Sequence, residues 1–287
     1  MIKYGFSIIL FLLLSASPAI AQRFIGLPFA GYDEEATLQV GFQYNYVNQN
    51  YQIVLKKNWR ELVGQGGGLI NLPADGVDET VNSTGSIRSI HSRPGHGFAI
   101  GIPIDMRWNE VFSINFTPSF NILNSHQIVY SPQDASLYAV VLKSKHVLQS
   151  NRGDNFNSFE FPVALKLLSE EKKLSKSDTR YRAYVLAGAR LTRWTGIQKA
   201  YTQLKLDVEA GQRIPEAIIL RPEYMSLEAG VGMDFITSYF RVSPEVRFSQ
   251  SMSNVLSNRH ILAMNNKFMA PIDRGLIRNV YFSLIFQ

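Results

Sequence analysis

Charged side chains occupy some of the polar positions in segments where apolar and polar residues alternate. In a β-strand such residues face one side, so carboxylates and cations from different strands can meet there. Opposite charges that pair would neutralise one another where they are removed from water, whereas an open row would form a narrow ion path or a proton-linked site. We expect the paired, structural network. Its candidate members are Asp105, Arg107, Glu160, Lys166, Arg182, Arg190, Glu228, Asp234, Arg241, Glu245 and Arg247.

Histidine can act as a base or a metal ligand near neutral pH. The five histidines all fall in predicted loops, and none has the spacing of a metal site or a catalytic triad. The pair His91 and His96 could ligate a metal or act as a base. A membrane-embedded hydrolase or acyltransferase would instead need His91, His126 or His260 beside a serine and a carboxylate. The full set is His91, His96, His126, His146 and His260.

Two other sources of chemistry are absent or incomplete. The chain has no cysteine, so it has no thiol nucleophile, disulfide or thiolate metal site. The glycine-rich stretch 64–68 lacks the Lys-Ser/Thr that completes a phosphate-binding loop, and it has no strand-to-helix context. With no set of nucleophile, base and orienting residue, the sequence predicts a non-enzymatic protein without catalytic residues, metal or cofactor.

The elements that must position the charged residues are strands, because apolar and polar residues alternate with period two. In the segment 159–167, for example, Phe159, Phe161 and Val163 alternate with Glu160. Each such segment has about the ten residues that a tilted membrane strand requires. The eight segments are 37–46, 97–107, 112–121, 159–167, 181–193, 225–235, 240–249 and 279–287.

The connections favour a membrane barrel over a soluble sandwich, which is the alternative for any single strand. They run long, short, long, intermediate, long, short and long: 47–96, 108–110, 122–158, 168–180, 194–223, 236–238 and 250–276. A barrel with both termini in the periplasm has such alternating loops and turns. The polar face is rich in Gly, Ser and Asn, as in a narrow lumen filled by side chains. We predict an all-β fold, an eight-stranded antiparallel transmembrane β-barrel with long outer loops and short periplasmic turns.

The N-terminus has the features of an export signal. Lys3 precedes an apolar run from Phe6 to about Leu14, and the small-residue site Ala19-Ile20-Ala21 follows. The run is short for a membrane-spanning helix. We predict a cleaved signal peptide over 1–21, a periplasmic lead-in over 22–35 and an outer-membrane barrel over 36–287. The basic residues behind the net charge of +6 are scattered, so we expect outer-membrane lipid or an acidic protein as partner, and no nucleic acid.

Further motifs occur in a defined order along the chain. They are Leu27-Pro28, Tyr32-Asp33, GFAIG at 97–101, Phe116-Thr117-Pro118, FEFPVALK at 159–166, YVLAGA at 184–189, EAGVGMDF at 228–235, Ser243-Pro244-Glu245 and FSLIFQ at 282–287. In this succession the chain resembles the PorT-like outer-membrane barrels of Bacteroidetes-type bacteria. It departs from them in its long first loop and in its short final strand.

The resemblance implies an eight-stranded barrel without catalytic residues. Named members of that family belong to the type IX secretion apparatus, which exports proteins across the outer membrane and serves gliding motility in some bacteria. The resemblance therefore implies an accessory or assembly component with envelope or secretion-machinery proteins as partners. A barrel of eight strands is too narrow to pass a folded protein, so its contacts would be made by loops or rim. The alternative is a stand-alone barrel that acts as a loop-based binding protein or narrow channel.

Overall fold

The computed structural model of the protein describes residues 25–26, 36–64, 87–124, 127–132, 140–143, 155–174, 178–209, 218–264 and 268–287. The predicted signal peptide 1–21 and most of the predicted lead-in 22–35 lie outside the described residues. So do His126, His146 and most of the glycine-rich stretch 64–68.

Most of the described residues lie in strands. The strands are β1 (Ile25–Gly26), β2 (Leu38–Val40), β3 (Phe42–Leu55), β4 (Ile87–Arg93), β5 (Gly95–Gly101), β6 (Ile104–Arg107), β7 (Phe112–Phe116), β8 (Ser119–Asn124), β9 (Gln127–Pro132), β10 (Val140–Lys143), β11 (Asn155–Leu168), β12 (Lys172–Lys173), β13 (Arg180–Trp194), β14 (Glu223–Ile236), β15 (Arg241–Ser251) and β16 (Ile272–Phe286). The helices are α1 (Trp59–Gly64), α2 (Ile197–Glu209) and α3 (Ile261–Met264). No helix in these ranges is long and apolar enough to cross a membrane.

Eight antiparallel staves close into a ring, and the first three of them are each split by a short break. In chain order the staves are β2 with β3, β5 with β6, β7 with β8, and then β11, β13, β14, β15 and β16. Each stave pairs with the next, and β16 pairs back onto β3 from Phe286 opposite Phe42 to Ile272 opposite Leu55. The predicted eight-stranded antiparallel barrel is confirmed.

The ring buries its polar residues and exposes its apolar ones, the reverse of a soluble sandwich. Glu160 and Asn115 are buried inside, whereas Val231 is 58% exposed and Leu165 47% exposed on the outside. An apolar surface of this extent is stable only against lipid. Closure leaves no unpaired strand edge in the membrane, where unpaired backbone groups are costly. The protein is a transmembrane β-barrel.

The two short turns mark one end of the barrel, called here the short-turn end. Asn109 Oδ1 accepts hydrogen bonds from the backbone of Val111 and Phe112, at 2.9 and 2.6 Å. Thr237 Oγ1 accepts one from Phe240 at 3.1 Å. Short polar side chains favour such turns because they replace a backbone partner. Each turn also carries a highly exposed aromatic residue, Trp108 or Tyr239, as is typical of the membrane–water interface.

The exposed apolar residues on the outside of the ring form a belt that we call the apolar band. At the opposite, long-loop end, several strands run beyond this band. Strand β3 continues to Leu55, and β4, β9 and β10 form a separate three-stranded sheet. The predicted long connections 47–96 and 122–158 were therefore too long. Period two is harder to see in these extensions because both faces of a strand in water can carry polar residues.

The predicted lead-in contributes one short strand. Ile25 pairs in parallel with Leu38, and Gly26 with Gln39, along the edge of β2. On that edge β16 ends opposite Phe42, so β1 occupies the seam beyond the end of the last stave. Gln287 Nε2 also donates a hydrogen bond to the Gln39 carbonyl, at 3.3 Å.

Strands β11 and β13 approach each other closely at Gly188. A Cβ atom built there would lie 2.1 Å from the Val163 carbonyl oxygen and 2.8 Å from the Ala164 Cβ. We expect Gly188→Ala to cost about 1–3 kcal/mol, the usual cost of overpacking. The readout is the temperature at which the folded, fast-migrating band disappears on an SDS gel. Gly101→Ala is the matched control, because its nearest neighbours are side-chain atoms of Ser119 and Thr117 at 3.1 Å.

Candidate functional site

Eleven charged residues are predicted from the alternation to face the lumen. Ten of them lie together there, and all ten are buried. They comprise five carboxylates and five cations, so the described lumen charges balance. Arg107 is the exception and is exposed. It is the last residue of β6, at the short-turn rim. The prediction that Arg107 belongs to the buried network was wrong.

Asp105 organises the half of the network nearer the short turns. Its carboxylate lies 3.0 Å from Lys166 Nζ and 2.7 Å from Arg241 Nη2. Asn115 Nδ2 donates a further hydrogen bond to it at 2.7 Å. Arg241 also approaches Asp234, with Nη1 3.7 Å from Oδ2. Each cation therefore binds a carboxylate from another stave, which fixes the staves around a common centre.

This half of the network reaches the connection between β11 and β13. Arg182 Nε donates to Asp234 Oδ2 at 2.8 Å, and its Nη1 lies 3.3 Å from Glu171 Oε1. Glu171 also pairs with Arg180 at 3.1 Å. Because Glu171 is partly exposed, the chain of ion pairs runs from the solvent at the short-turn end into the buried lumen.

Arg190 and Arg247 organise the other half. Arg190 pairs with Glu160 and also with Glu228, whose Oε2 lies 2.7 Å from Nη2. Its guanidinium carbon lies 4.0 Å from the Tyr281 ring centroid, the geometry of a cation–π contact. Tyr281 in turn donates a hydrogen bond to Glu160 at 2.9 Å.

Arg247 links the two halves. Its Nη1 lies 3.0 Å from Glu228 Oε1, and its Nε pairs with Glu245. Its Nη2 donates to Asn115 Oδ1 at 2.9 Å, while the Nδ2 of the same Asn115 binds Asp105. The network is therefore continuous. Its paired, balanced charges make it suited to filling and bracing the lumen rather than to holding a free acid or base.

Uncharged polar residues occupy the lumen between this network and the long-loop end. A row of register partners runs from Glu245 through Ser283, Asn45, Ala99, Asn121 and Ser158 to Trp194. Both amide atoms of Asn121 and the hydroxyl of Ser158 are buried without a hydrogen-bond partner among the described residues. Small polar side chains thus occupy the lumen between the ion pairs and the long-loop end.

A compact apolar core closes the long-loop end, and we call it the cap. It combines inward-facing residues of the staves with residues of the long connections, all of them buried. Its members include Val47, Tyr51, Leu123, Tyr130, Trp194, Ile197, Tyr201, Ile218, Ile219, Leu220, Tyr224, Val255, Leu256, Phe268, Met269, Ile272 and Ile277. Because stave and loop residues pack together, the loops fold over the mouth of the barrel.

Specific hydrogen bonds fix the cap. Tyr130 donates to the Phe268 carbonyl at 2.6 Å, and their rings meet edge to face with centroids 5.1 Å apart. The Leu220 amide donates to the Tyr201 hydroxyl at 2.7 Å. Leu220 also forms an antiparallel bridge with Leu256. These contacts join the connection that contains α2 to the connection between β15 and β16, and that connection to β9. The cap is therefore an ordered part of the fold.

Of the three histidines that the structure describes, two lie in strands, so their prediction as loop residues was wrong. His91 is in β4 and His96 in β5, because the strands extend beyond the apolar band. His96 Nδ1 lies 2.6 Å from the Tyr46 hydroxyl. The His260 ring packs in a tilted arrangement against Tyr201, with ring centroids 5.3 Å apart. Partial burial and the nearby Lys205 ammonium lower the pKa of His260 below its usual value. The described ranges contain no group of three His, Cys, Asp or Glu residues that could hold a metal ion.

Comparison with solved structures finds the crystal structure of Ail, the attachment invasion locus protein of Yersinia pestis. The alignment covers 86% of this chain and 96% of Ail, with 9% sequence identity and a TM-score of 0.30. A second Ail structure, in complex with the heparin analogue sucrose octasulfate, aligns over the same shares with 8% identity and a TM-score of 0.29. At these TM-scores we draw no conclusion about this protein from the similarity. No family model and no curated protein matches the chain.

The cap and the barrel can be tested separately with Leu256→Ala. Leu256 is almost fully buried in the cap, and truncating a buried leucine costs about 2–5 kcal/mol. We expect trypsin to cleave after Lys199 and Lys205 on α2 at least about tenfold faster, since ~1.4 kcal/mol is a tenfold change in the open population. The heat-shifted barrel band should persist. Leu206→Ala, at an exposed position on α2, should leave the cleavage rate unchanged; equal acceleration in both variants would contradict a packed cap.

Proposed function

We propose that this protein is a non-enzymatic outer-membrane β-barrel that acts as an accessory or assembly component of the type IX protein secretion machinery. The observation that carries the proposal is the closed interior. Ten buried, balanced charges fill the lumen, and the cap covers its long-loop end. Because paired side chains fill the described part of the lumen, the proposed contacts with partners are made by the rim, the loops and the lipid-facing wall.

Two features support the outer membrane as the location. The wall is apolar and the ring is closed, which are the requirements for a membrane barrel. The N-terminal sequence has the pattern of an export signal. The usual orientation of such barrels puts the short turns in the periplasm and the cap outside.

The secretion role is supported by the ordered motifs that resemble PorT-like barrels. Three of these motifs supply members of the lumen network: FEFPVALK carries Glu160 and Lys166, EAGVGMDF carries Glu228 and Asp234, and Ser243-Pro244-Glu245 carries Glu245. The resemblance therefore includes residues that fill the lumen and not only the general alternation of a barrel.

The test is deletion of the gene with plasmid complementation. We expect the proteins exported by the type IX machinery to accumulate inside the cell, and the tagged barrel to co-purify with machinery components from a detergent extract. Complementation with the wild-type gene and with Arg107→Gln, a change at the exposed rim, should restore export. Normal secretion of all exported substrates in the deletion strain would overturn the proposed role.

A loop-based binding protein is the second candidate, and one observation favours it. The long connections form an ordered cap that leaves Met252, Leu206 and Ile261 exposed, and exposed apolar groups are typical of contact surfaces. If the deletion strain secretes normally but loses binding to cells or to an extracellular ligand, this candidate replaces the first. For a narrow channel we expect no conductance in planar bilayers; a conductance changed by Arg241→Gln or Glu245→Gln would support that reading.

A further inference from the structure

A polar patch lies on the outside of the barrel, at the edge of the apolar band nearer the long-loop end. It comprises Gln250 on β15, Arg278 on β16, Asn48 and Asn50 on β3, and His96 on β5, and we call it the boundary patch. Arg278 is the register partner of both Gln250 and Asn50, and Asn48 is the partner of His96. The five residues therefore form a connected surface across four neighbouring strands.

The wall directly below this patch is apolar. Two residues further along their strands, Phe248, Tyr46 and Phe98 face outward and are exposed, as is Phe282, four residues beyond Arg278. Tyr46 and Phe282 lie together, with ring centroids 6.2 Å apart. A polar patch immediately above a broad apolar wall matches a lipid in its polarity, with a headgroup above and acyl chains below.

Arg278 is positioned to bind an anion. Its Nε donates a hydrogen bond to Gln250 Oε1 at 3.0 Å, which orients the guanidinium while the side chain stays exposed. Its register partners are amides rather than carboxylates. Arg193, at the same end of β13, differs because its register partner is Glu223, a carboxylate that offsets its charge.

His96 provides a second polar group on the same surface. Its Nδ1 lies 2.6 Å from the Tyr46 hydroxyl and 3.3 Å from Asn48 Nδ2, so the ring is held in place. It is two strands away from Arg278, about 10 Å at the usual spacing between strands. Asn48 and Asn50 lie between them, and the Ser92 hydroxyl donates a hydrogen bond to Asn50 Oδ1. Of the five residues of the boundary patch, Arg278 carries the permanent positive charge.

We propose that the boundary patch binds the phosphate group of an anionic membrane lipid in the leaflet at the long-loop end, with the acyl chains against Phe248 and Phe282. This rests on the proposed membrane location. Arginine suits the role because its planar fork of donors matches a phosphate. Lipid fits better than a soluble anion because the cation lies at the edge of the lipid-facing wall.

The test uses the full mature chain, folded in dodecyl maltoside and titrated with diphosphoryl lipid A or with the same lipid lacking both phosphates. Lipid adducts are counted by native mass spectrometry. We expect wild-type protein to retain the phosphorylated lipid about tenfold more than the dephosphorylated one, as for the loss of one charge-assisted contact. Arg278→Gln should remove this preference, and Arg193→Gln should keep it.

Three outcomes would overturn the proposal: equal retention of the two lipids, an unchanged preference in Arg278→Gln, or an equal loss in Arg193→Gln, which would indicate general charge attraction. A heat-modifiability gel on each sample separates this failure from failure of the proposed membrane function. A barrel that keeps its heat shift but shows no phosphate preference contradicts only the boundary patch.

Discussion

Arg247→Met is expected to lower the free energy of unfolding by about 3–5 kcal/mol, because removing one partner leaves buried carboxylates without compensation. Arg247 is fully buried and contacts Glu228, Glu245 and Asn115. Methionine replaces the aliphatic part of the arginine side chain but carries no charge, so the packing of that part is kept and the electrostatic loss dominates. Urea unfolding in detergent micelles, followed by tryptophan fluorescence, measures the effect.

The double variant Arg247→Met with Glu245→Gln tests the cause. It restores the balance of lumen charge, and replacing a whole buried pair is often nearly neutral. We expect it to recover more than half of the stability lost in the single variant. Arg107→Met, at the exposed rim position, should unfold like the wild type. A double variant no more stable than Arg247→Met would show that packing, and not charge balance, governs the lumen.

Val231→Arg is expected to impair insertion or folding of the barrel. Val231 lies near the middle of β14 on the outer face and is 58% exposed. A charged side chain on the lipid face near the bilayer centre costs about 2–4 kcal/mol. We expect less heat-shifted protein in the membrane fraction and more aggregated or degraded protein. On a soluble protein, the same change at so exposed a position would be almost neutral.

Leu174→Arg is the matched control for the lipid-facing wall. Leu174 is also an exposed apolar residue, but it lies in the connection between β11 and β13, beyond the short-turn end of the wall. The arginine there should remain in water, and the amount of heat-shifted protein should match the wild type. If both variants insert normally, the exposed apolar band is not facing lipid.

The sequence predicted the staves and their faces because a barrel wall imposes a strict period of two. Lipid requires apolar residues outside, and a narrow lumen requires small or paired polar residues inside. Along β11, Phe161 and Leu165 therefore point out while Glu160 and Lys166 point in, as predicted. The pattern also grouped the charged residues correctly, since the pleat leaves each of them only one side to face.

The sequence did not predict what lies beyond the wall. Beyond the apolar band, lipid no longer constrains the strands. Period two therefore does not predict β4 and β9, and the sequence places His91 and His96 in loops. The cap depends on packing between segments distant in sequence, such as Leu220 against Leu256, and period two does not report such pairs. The cap could have been predicted from apolar runs inside the predicted loops, such as Ile218-Ile219-Leu220. Arg107 was misplaced because periodicity gives the direction of a side chain but not its depth.

The distribution of lumen charge among the hairpins bears on how the barrel assembles. The hairpin of β11 and β13 carries Glu160 against Lys166, Arg182 and Arg190, an excess of two positive charges, whereas β14 and β15 carry Glu228, Asp234 and Glu245 against Arg241 and Arg247, an excess of one negative charge. The remaining negative charge is Asp105 on β6. None of these units is neutral alone, and bare charge in hydrocarbon is costly. Stepwise entry of single hairpins is therefore disfavoured, and we expect the staves to come together around their shared charges before the wall crosses the bilayer.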